Sequence, residues 1–362
     1  MTNGSAAPVS LVDTGAAPRL PTAGGLPVRA MIDASRARVI GRVRESEVIA
    51  AALAAGRSVL LEGPPGTGKT TLLRALAEGA GVGLELVEGN AELSPARLVG
   101  HHDPSRVLTE DYTPENFVPG PLVRALTSGA LLYVEELNRV PEETLNVLLG
   151  VLSERRLHVP RLGIVDAAPS FRLVAAMNPS DAVGTGRITP ALYDRSCRVG
   201  FVHQDADEET AIVRRDHGVV DEAFVARAVR ATRATREHPD LRLGSSVRGA
   251  LDLVAVAASL AELRDVGLAG RLAPDAETTG TDAALAALSG RVQLLEGSTR
   301  TVEEVVADLW AASAPVDERV GAEGGGEEKP EPRRLAAPAG GPLARGAAEG
   351  GVGPPGGRRP AA

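Results

Sequence analysis

The stretch Gly63-Pro64-Pro65-Gly66-Thr67-Gly68-Lys69-Thr70 decides the fold. It satisfies G-x-x-x-x-G-K-[ST], and it stands between a short apolar run, Ser58–Glu62, and a segment of helical spacing from Lys69 to Glu78. Glycines let successive backbone N–H groups turn inward into an anion nest, and the following helix adds the positive end of its dipole. Lys69 is expected to reach the β- and γ-phosphates of a nucleotide and the Thr70 hydroxyl to bind Mg²⁺. Gly63, Pro64, Pro65, Gly66, Thr67, Gly68, Lys69, Thr70 and Thr71 are thus the candidate nucleotide contacts. Lysine occurs only here and at Lys329, in a chain that otherwise uses arginine as its cation. An ammonium is retained where a compact point charge is needed and a guanidinium fork would not fit.

Outward from this loop, short apolar runs alternate with helical segments. Leu84–Glu88, Ala130–Glu135, Phe171–Met177 and Cys197–Val202 read as strands, and Pro141–Glu154 as a helix with Pro in its first turn. Near-continuous apolar strands alternating with helices predict an α/β fold, a parallel five-stranded sheet covered on both faces. After Asp205 only helical patterns are read, at Asp207–His217, Asp221–His238, Ser245–Leu263, Thr281–Leu288 and Val302–Ala312. The organisation expected is an arm without order over 1–26, a nucleotide-binding domain over 27–204, an all-helical lid over 205–314 and a Gly/Pro-rich disordered tail over 315–362.

Bulk properties exclude some functions. The 362 residues suffice for a buried core, and 43% hydrophobic with 24% charged residues is the balance of a globular protein. A formal charge of −8 and an aromatic content of 2% argue against a nucleic-acid binder that relies on bulk charge or base stacking. Cys197 stands alone, so an intrachain disulfide and a Cys-based metal cluster are both excluded. His101 and His102 are adjacent and point apart on a strand, a poor arrangement for one ion. No secretory signal and no membrane span is read, and a cytoplasmic location is expected.

Two further segments carry chemistry. Leu131-Leu132-Tyr133-Val134-Glu135-Glu136 is an apolar strand ending in two acids, as a Walker B strand does. Glu135 would hold Mg²⁺ through water and Glu136 would act as the base toward the attacking water. Phe171–Met177 runs into Asn178, a polar residue at a strand end suited to orienting water or the γ-phosphate. Asn178-Pro179-Ser180-Asp181 lacks the Lys of the guanine-reading Asn-Lys-x-Asp, so ATP is expected rather than GTP.

Taken together, the chain resembles the MoxR-type AAA+ ATPases. The pieces that carry the likeness are Val39-Ile40-Gly41-Arg42, Leu98-Val99-Gly100, Phe117-Val118-Pro119-Gly120-Pro121-Leu122 and Glu135-Glu136-Leu137-Asn138-Arg139. They continue through Leu152–Arg156, Ala176-Met177-Asn178-Pro179, Leu192-Tyr193-Asp194-Arg195 and Gly244–Arg248. That family has Asp where Glu135 stands, a departure of one methylene that puts metal geometry and rate in question.

The resemblance implies further roles. Ile40 and Gly41 would contact the nucleotide. Arg195 would be an arginine finger acting on a neighbouring subunit's γ-phosphate, and Arg248 a lid arginine acting in its own subunit. Asn90 would restrain the catalytic acid. Phe117–Leu122 and Leu157–Ser170 would face a client. The implied assembly is a homo-oligomeric ring, a hexamer, that remodels a client protein, with a von Willebrand A-domain protein as the implied partner. The alternative is an ATP-gated assembly or scaffold factor of gas-vesicle type with little turnover. A small-molecule kinase is disfavoured because no acceptor-binding insert follows the loop.

Overall fold

The computed structural model describes residues 25–179, 190–217, 220–269 and 272–314. Most of the expected arm, all but Ala314 and earlier of the C-terminal region, and Asp181 lie outside the described residues. Leu26, assigned to the arm, instead packs in the core at 7% exposure.

The central sheet has five parallel strands: β1 (Ser58–Glu62), β2 (Leu84–Glu88), β3 (Leu131–Glu135), β4 (Arg172–Met177) and β5 (Ser196–Gly200). Their order across the sheet is β2-β3-β4-β1-β5. The register sets Glu62 opposite both Met177 and Gly200, and Glu88 opposite Glu135, so the carboxyl ends of the strands share one edge. The three central strands, β3, β4 and β1, are apolar and buried on both faces, whereas the edge strands β2 and β5 are largely exposed. Leu60, Leu132, Val134, Leu173 and Ala175 point into one layer, with Leu98, Leu122 and Leu148. Val59, Leu61, Leu131, Tyr133, Val174 and Ala176 point into the other, with Met31, Ile49 and Leu73. In those three strands the alternation that would betray a half-exposed strand is therefore missing from the sequence.

A third core lies in the helical region. Helices Ala206–Asp216, Glu222–Ala234, Val247–Arg264, Pro274–Leu288 and Val302–Ala312 pack around Leu253, Val254, Leu288 and Trp310. Two features differ from the sequence reading. The region is not free of strands, because Leu241–Leu243 pairs antiparallel with Gln293–Leu294. These runs are two and three residues long, too short to show a period. The helix expected from Thr281 begins at Pro274 instead. Its first half holds Gly280, whose bare backbone lets Trp310 pack so close that an added Cβ would sit 2.4 Å from the indole. A glycine that lowers helix propensity is there for packing.

Two antiparallel pairs flank the sheet, Gly100–His102 with Phe117–Pro119 and Arg156–Val159 with Gly163–Asp166. They occupy the segments read as client-facing, and Arg161 of the second lies 3.8 Å over the ring of Tyr112 in the first. Among the described residues, no helix is long and apolar enough to cross a membrane.

Candidate active site

The Gly-rich loop leaves β1 at Glu62 and enters helix Lys69–Ala80. Two of its glycines are required by close approach. A Cβ on Gly63 would fall 2.2 Å from the Phe201 carbonyl oxygen, and one on Gly66 (φ +72°) 2.2 Å from Ser246 Oγ. Gly66 is thus where the helical region comes down onto the loop. Lys69 is folded back on its own loop, with Nζ donating to the carbonyls of Gly63 (3.0 Å) and Pro64 (2.8 Å). Burial lowers the Lys69 ammonium to about 8, and nearby Arg248 and Arg42 add to this while Glu136 and Glu135 oppose it. The side chain must swing off the carbonyls to meet a phosphate.

At the edge of β3, the Thr70 hydroxyl donates to the Glu135 carboxylate. The extra methylene of Glu135 is thus accommodated, since its carboxylate reaches the hydroxyl that a loop-bound metal would use. Glu136 follows in the left-handed region (φ 49°, ψ 43°), an uncommon conformation for a residue with a side chain and one found at functional sites. Its Oε2 is buried without a hydrogen-bond partner, and Arg139 Nε stands 3.6 Å away. The backbone of β2 crowds this turn, so that a Cβ on Gly89 would sit 2.4 Å from the Glu136 carbonyl oxygen. Asn90 is held in a local turn, accepting from Glu92 N and donating to Glu88 O. It does not line the cavity described next.

One cavity gathers Gly63, Pro65, Gly66, Thr67, Gly68, Lys69, Thr70 and Thr71 with Glu135, Glu136, Asn178, Arg248 and Tyr133. A second cavity opens beside it and shares Gly66, Thr71 and Arg248; Val39, Ile40, Gln204, Val247 and Leu251 extend it. Arg248 projects into both from the second position of helix Val247–Arg264. Pro64 and Gly41 line neither, although the Pro64 carbonyl accepts from Lys69. Arg195 is not brought to either cavity. Its guanidinium donates to Ser153 Oγ (2.9 Å) and to the Ala191 carbonyl (3.0 Å), and its side chain is 39% exposed.

Three participants escaped the sequence reading. Tyr133 lines the first cavity with a fully buried ring, and burial, reinforced by the Glu135 charge, pushes its phenol up. Arg42, also left-handed, donates to the Val202 carbonyl at 2.6 Å and pairs with Glu45 at 2.9 Å. Gln204 donates to the Ile40 carbonyl at 2.5 Å, tying the start of the helical region to the second cavity. Between them, burial and then the charges of Arg236 and Arg42 lower the His203 imidazole to about 4, so it is neutral at pH 7. Of the three, only Tyr133 left a visible signal, a phenol in an otherwise aliphatic strand.

The Thr70 hydroxyl and Glu135 carboxylate are hard oxygen donors side by side, a fit for Mg²⁺ that takes its remaining ligands from phosphates and water. Among the described residues, no cluster of three or more His, Cys, Asp or Glu could hold a metal ion by itself.

Residues 58–196 match the AAA domain family, dynein-related subfamily. That span begins at β1 and closes at β5, taking in the loop, the two acids and Asn178. The chain carries an AAA+ P-loop domain. It is an ATPase domain, with the sheet order and loop that this chemistry uses. The chain is 30% identical over 178 residues to an uncharacterized protein of Staphylococcus haemolyticus, an alignment covering 48% of this chain and 66% of that one. It is 30% identical over 224 residues to the gas vesicle ATPase GvpN of Ancylobacter aquaticus, covering 57% of this chain and 62% of that one. The alignments thus span just under two thirds of these relatives. The RuvB Holliday junction branch migration motor of Thermotoga maritima superposes with a TM-score of 0.45 at 18% identity, over 69% of this chain and 73% of that one.

Proposed function

We propose that this AAA+ domain works as an ATP-dependent machine of MoxR type, hydrolysing ATP between subunits of a ring to remodel or mature a client protein complex. The observation that carries the reading is convergence. Lys69, Thr70, Glu135, Glu136, Asn178 and Arg248 come from four separated stretches of the chain and line one cavity at the carboxyl edge of the sheet. In this reading Lys69 leaves the carbonyls of its own loop and binds the β- and γ-phosphates. Thr70, and Glu135 through water, would hold Mg²⁺, which would supply charge neutralisation on the phosphates. Glu136 accepts the proton of the attacking water, Asn178 orients it, and Arg248 closes from the helical side. Arg195, exposed and outside the cavity, acts on the site of the next subunit.

The same reading takes 27–204 as the nucleotide-binding domain and 205–314 as its lid, with the protein in the cytoplasm, a hexamer as the ring and a von Willebrand A-domain protein as partner. The decisive experiment is ATP-dependent capture. The Glu136→Gln chain, loaded with ATP, should retain a client in pull-down that wild type releases, and equal recovery from both would count against client remodelling.

A second reading is an assembly factor of gas-vesicle type, supported by the 30% identity to a gas vesicle ATPase. The two diverge in turnover. The contact of Glu135 with Thr70 favours a site able to turn over. A single-turnover hydrolysis assay separates a cycling machine from a slow, ATP-gated scaffold.

A further inference from the structure

Tyr133 is fully buried, and its hydroxyl stands beside Thr70 and Glu135 without meeting either in good hydrogen-bond geometry. Its ring is fixed by the layer of Leu61, Leu72, Leu73 and Val174, while its polar end lines the cavity that also holds Thr70, Glu135 and Glu136. Strand alternation puts residues 133 and 135 on the same face of β3, so the phenol and the Glu135 side chain project from one side of the strand. A buried hydroxyl left unpaired is unfavourable, and phenylalanine would fill the same space without that cost. A poorly satisfied donor beside a carboxylate whose chain is one methylene longer than the Asp of related Walker B strands calls for a function.

We propose that Tyr133 is a positioning residue for Glu135: when the site is loaded, its hydroxyl donates to the Glu135 carboxylate or its water and holds that longer side chain in register with Thr70. This rests on the reading of the cavity as a nucleotide and Mg²⁺ site. In the empty site the Thr70 hydroxyl holds Glu135 and the phenol only adjoins the pair; the phenol would become the main donor to Glu135 when the Thr70 hydroxyl turns to the metal. Three groups, a hydroxyl, a phenol and a carboxylate, then do what a shorter aspartate does with fewer.

The test is binding of a fluorescent ATP analogue to the full chain, in EDTA and across a Mg²⁺ titration, for wild type, Tyr133→Phe, Glu135→Asp and the double variant. Measured against its own binding in EDTA, Tyr133→Phe should need roughly tenfold more Mg²⁺ than wild type for half of the metal's effect, the scale of one hydrogen bond to a charged group. Its nucleotide-free thermal midpoint should equal or exceed that of wild type, an outcome that a structural role for the hydroxyl would reverse. In the Glu135→Asp background, the same change should cost less than about twofold, because the shorter carboxylate no longer meets the phenol. An unchanged Mg²⁺ requirement in Tyr133→Phe, or an equal loss in both backgrounds, overturns the inference. Should wild type and Lys69→Ala bind the analogue equally, the nucleotide-site reading itself fails, and the inference with it.

Discussion

The two arginines singled out from the sequence have opposite fates in the fold. Arg248 reaches into the cavity from the first turn of its helix, level with the loop where Gly66 meets Ser246. Arg195 stays outside, its guanidinium held by Ser153 Oγ and the Ala191 carbonyl. Both belong to motifs of the same resemblance, and both have the charge that a transferring phosphoryl group requires. The difference is that one chain gathers most of the candidate site while one of its candidate catalytic cations lies outside that cavity. A single chain of this shape should therefore bind nucleotide by itself and hydrolyse it poorly until a second copy arrives.

The largest expected effect breaks the binding side from the chemical side. Glu136→Gln removes the candidate base and leaves the loop intact, so turnover should fall on the order of a thousandfold with ATP affinity unchanged. Single-turnover hydrolysis beside equilibrium binding checks this. Arg195→Ala should lower kcat about a hundredfold with affinity held within roughly threefold, since it touches neither cavity. A large loss of affinity in that variant would mean that Arg195 belongs to its own subunit's site. Lys69→Ala should do the reverse, weakening ATP binding about thirtyfold, as expected for one lost charge-assisted contact.

The smallest effect is one of pH. The Lys69 pKa is lowered in the fold to about 8 from an ordinary 10.5. Between those values the folded chain holds fewer protons than the unfolded one, so this group's contribution makes nucleotide-free stability rise with pH across that window. Its contribution to ATP binding runs the other way. Phosphates favour the ammonium, which is lost as pH climbs past 8, so affinity should fall several-fold between pH 7 and pH 9 with proton uptake on binding. Isothermal titration calorimetry in buffers of different ionisation heat measures that uptake. No uptake near pH 8.5 would show that the ammonium is already charged in the empty site.

Much of this was written in local sequence. The loop, the strand with two acids and the strand ending in Asn178 each carry their signal within a few residues, and parallel strands buried on both faces are continuous apolar runs. What was not legible depends on distant pairings. Gln204 joins Ile40 across 164 residues, and no local pattern announces it. Gly280 reads as a helix breaker until Trp310 is seen against it. Asn90, expected near the catalytic acid, is used in its own turn, because an Asn side chain finds nearby backbone partners more readily than remote ones. Tyr133 was visible as a residue but not as a donor, since its significance lies in its place beside Thr70 and Glu135.

The account stands or falls on whether Glu136 and Arg195 serve a site shared between copies. The direct measurement is steady-state ATP hydrolysis by Glu136→Gln chains, by Arg195→Ala chains and by an equimolar mixture of the two. Each variant alone should be nearly inactive, and the mixture should regain a substantial fraction of wild-type turnover. That recovery requires a Glu136 from one copy to meet an Arg195 from the other. A mixture no more active than its components, with mixed assemblies demonstrated by size and mass, would contradict the shared site.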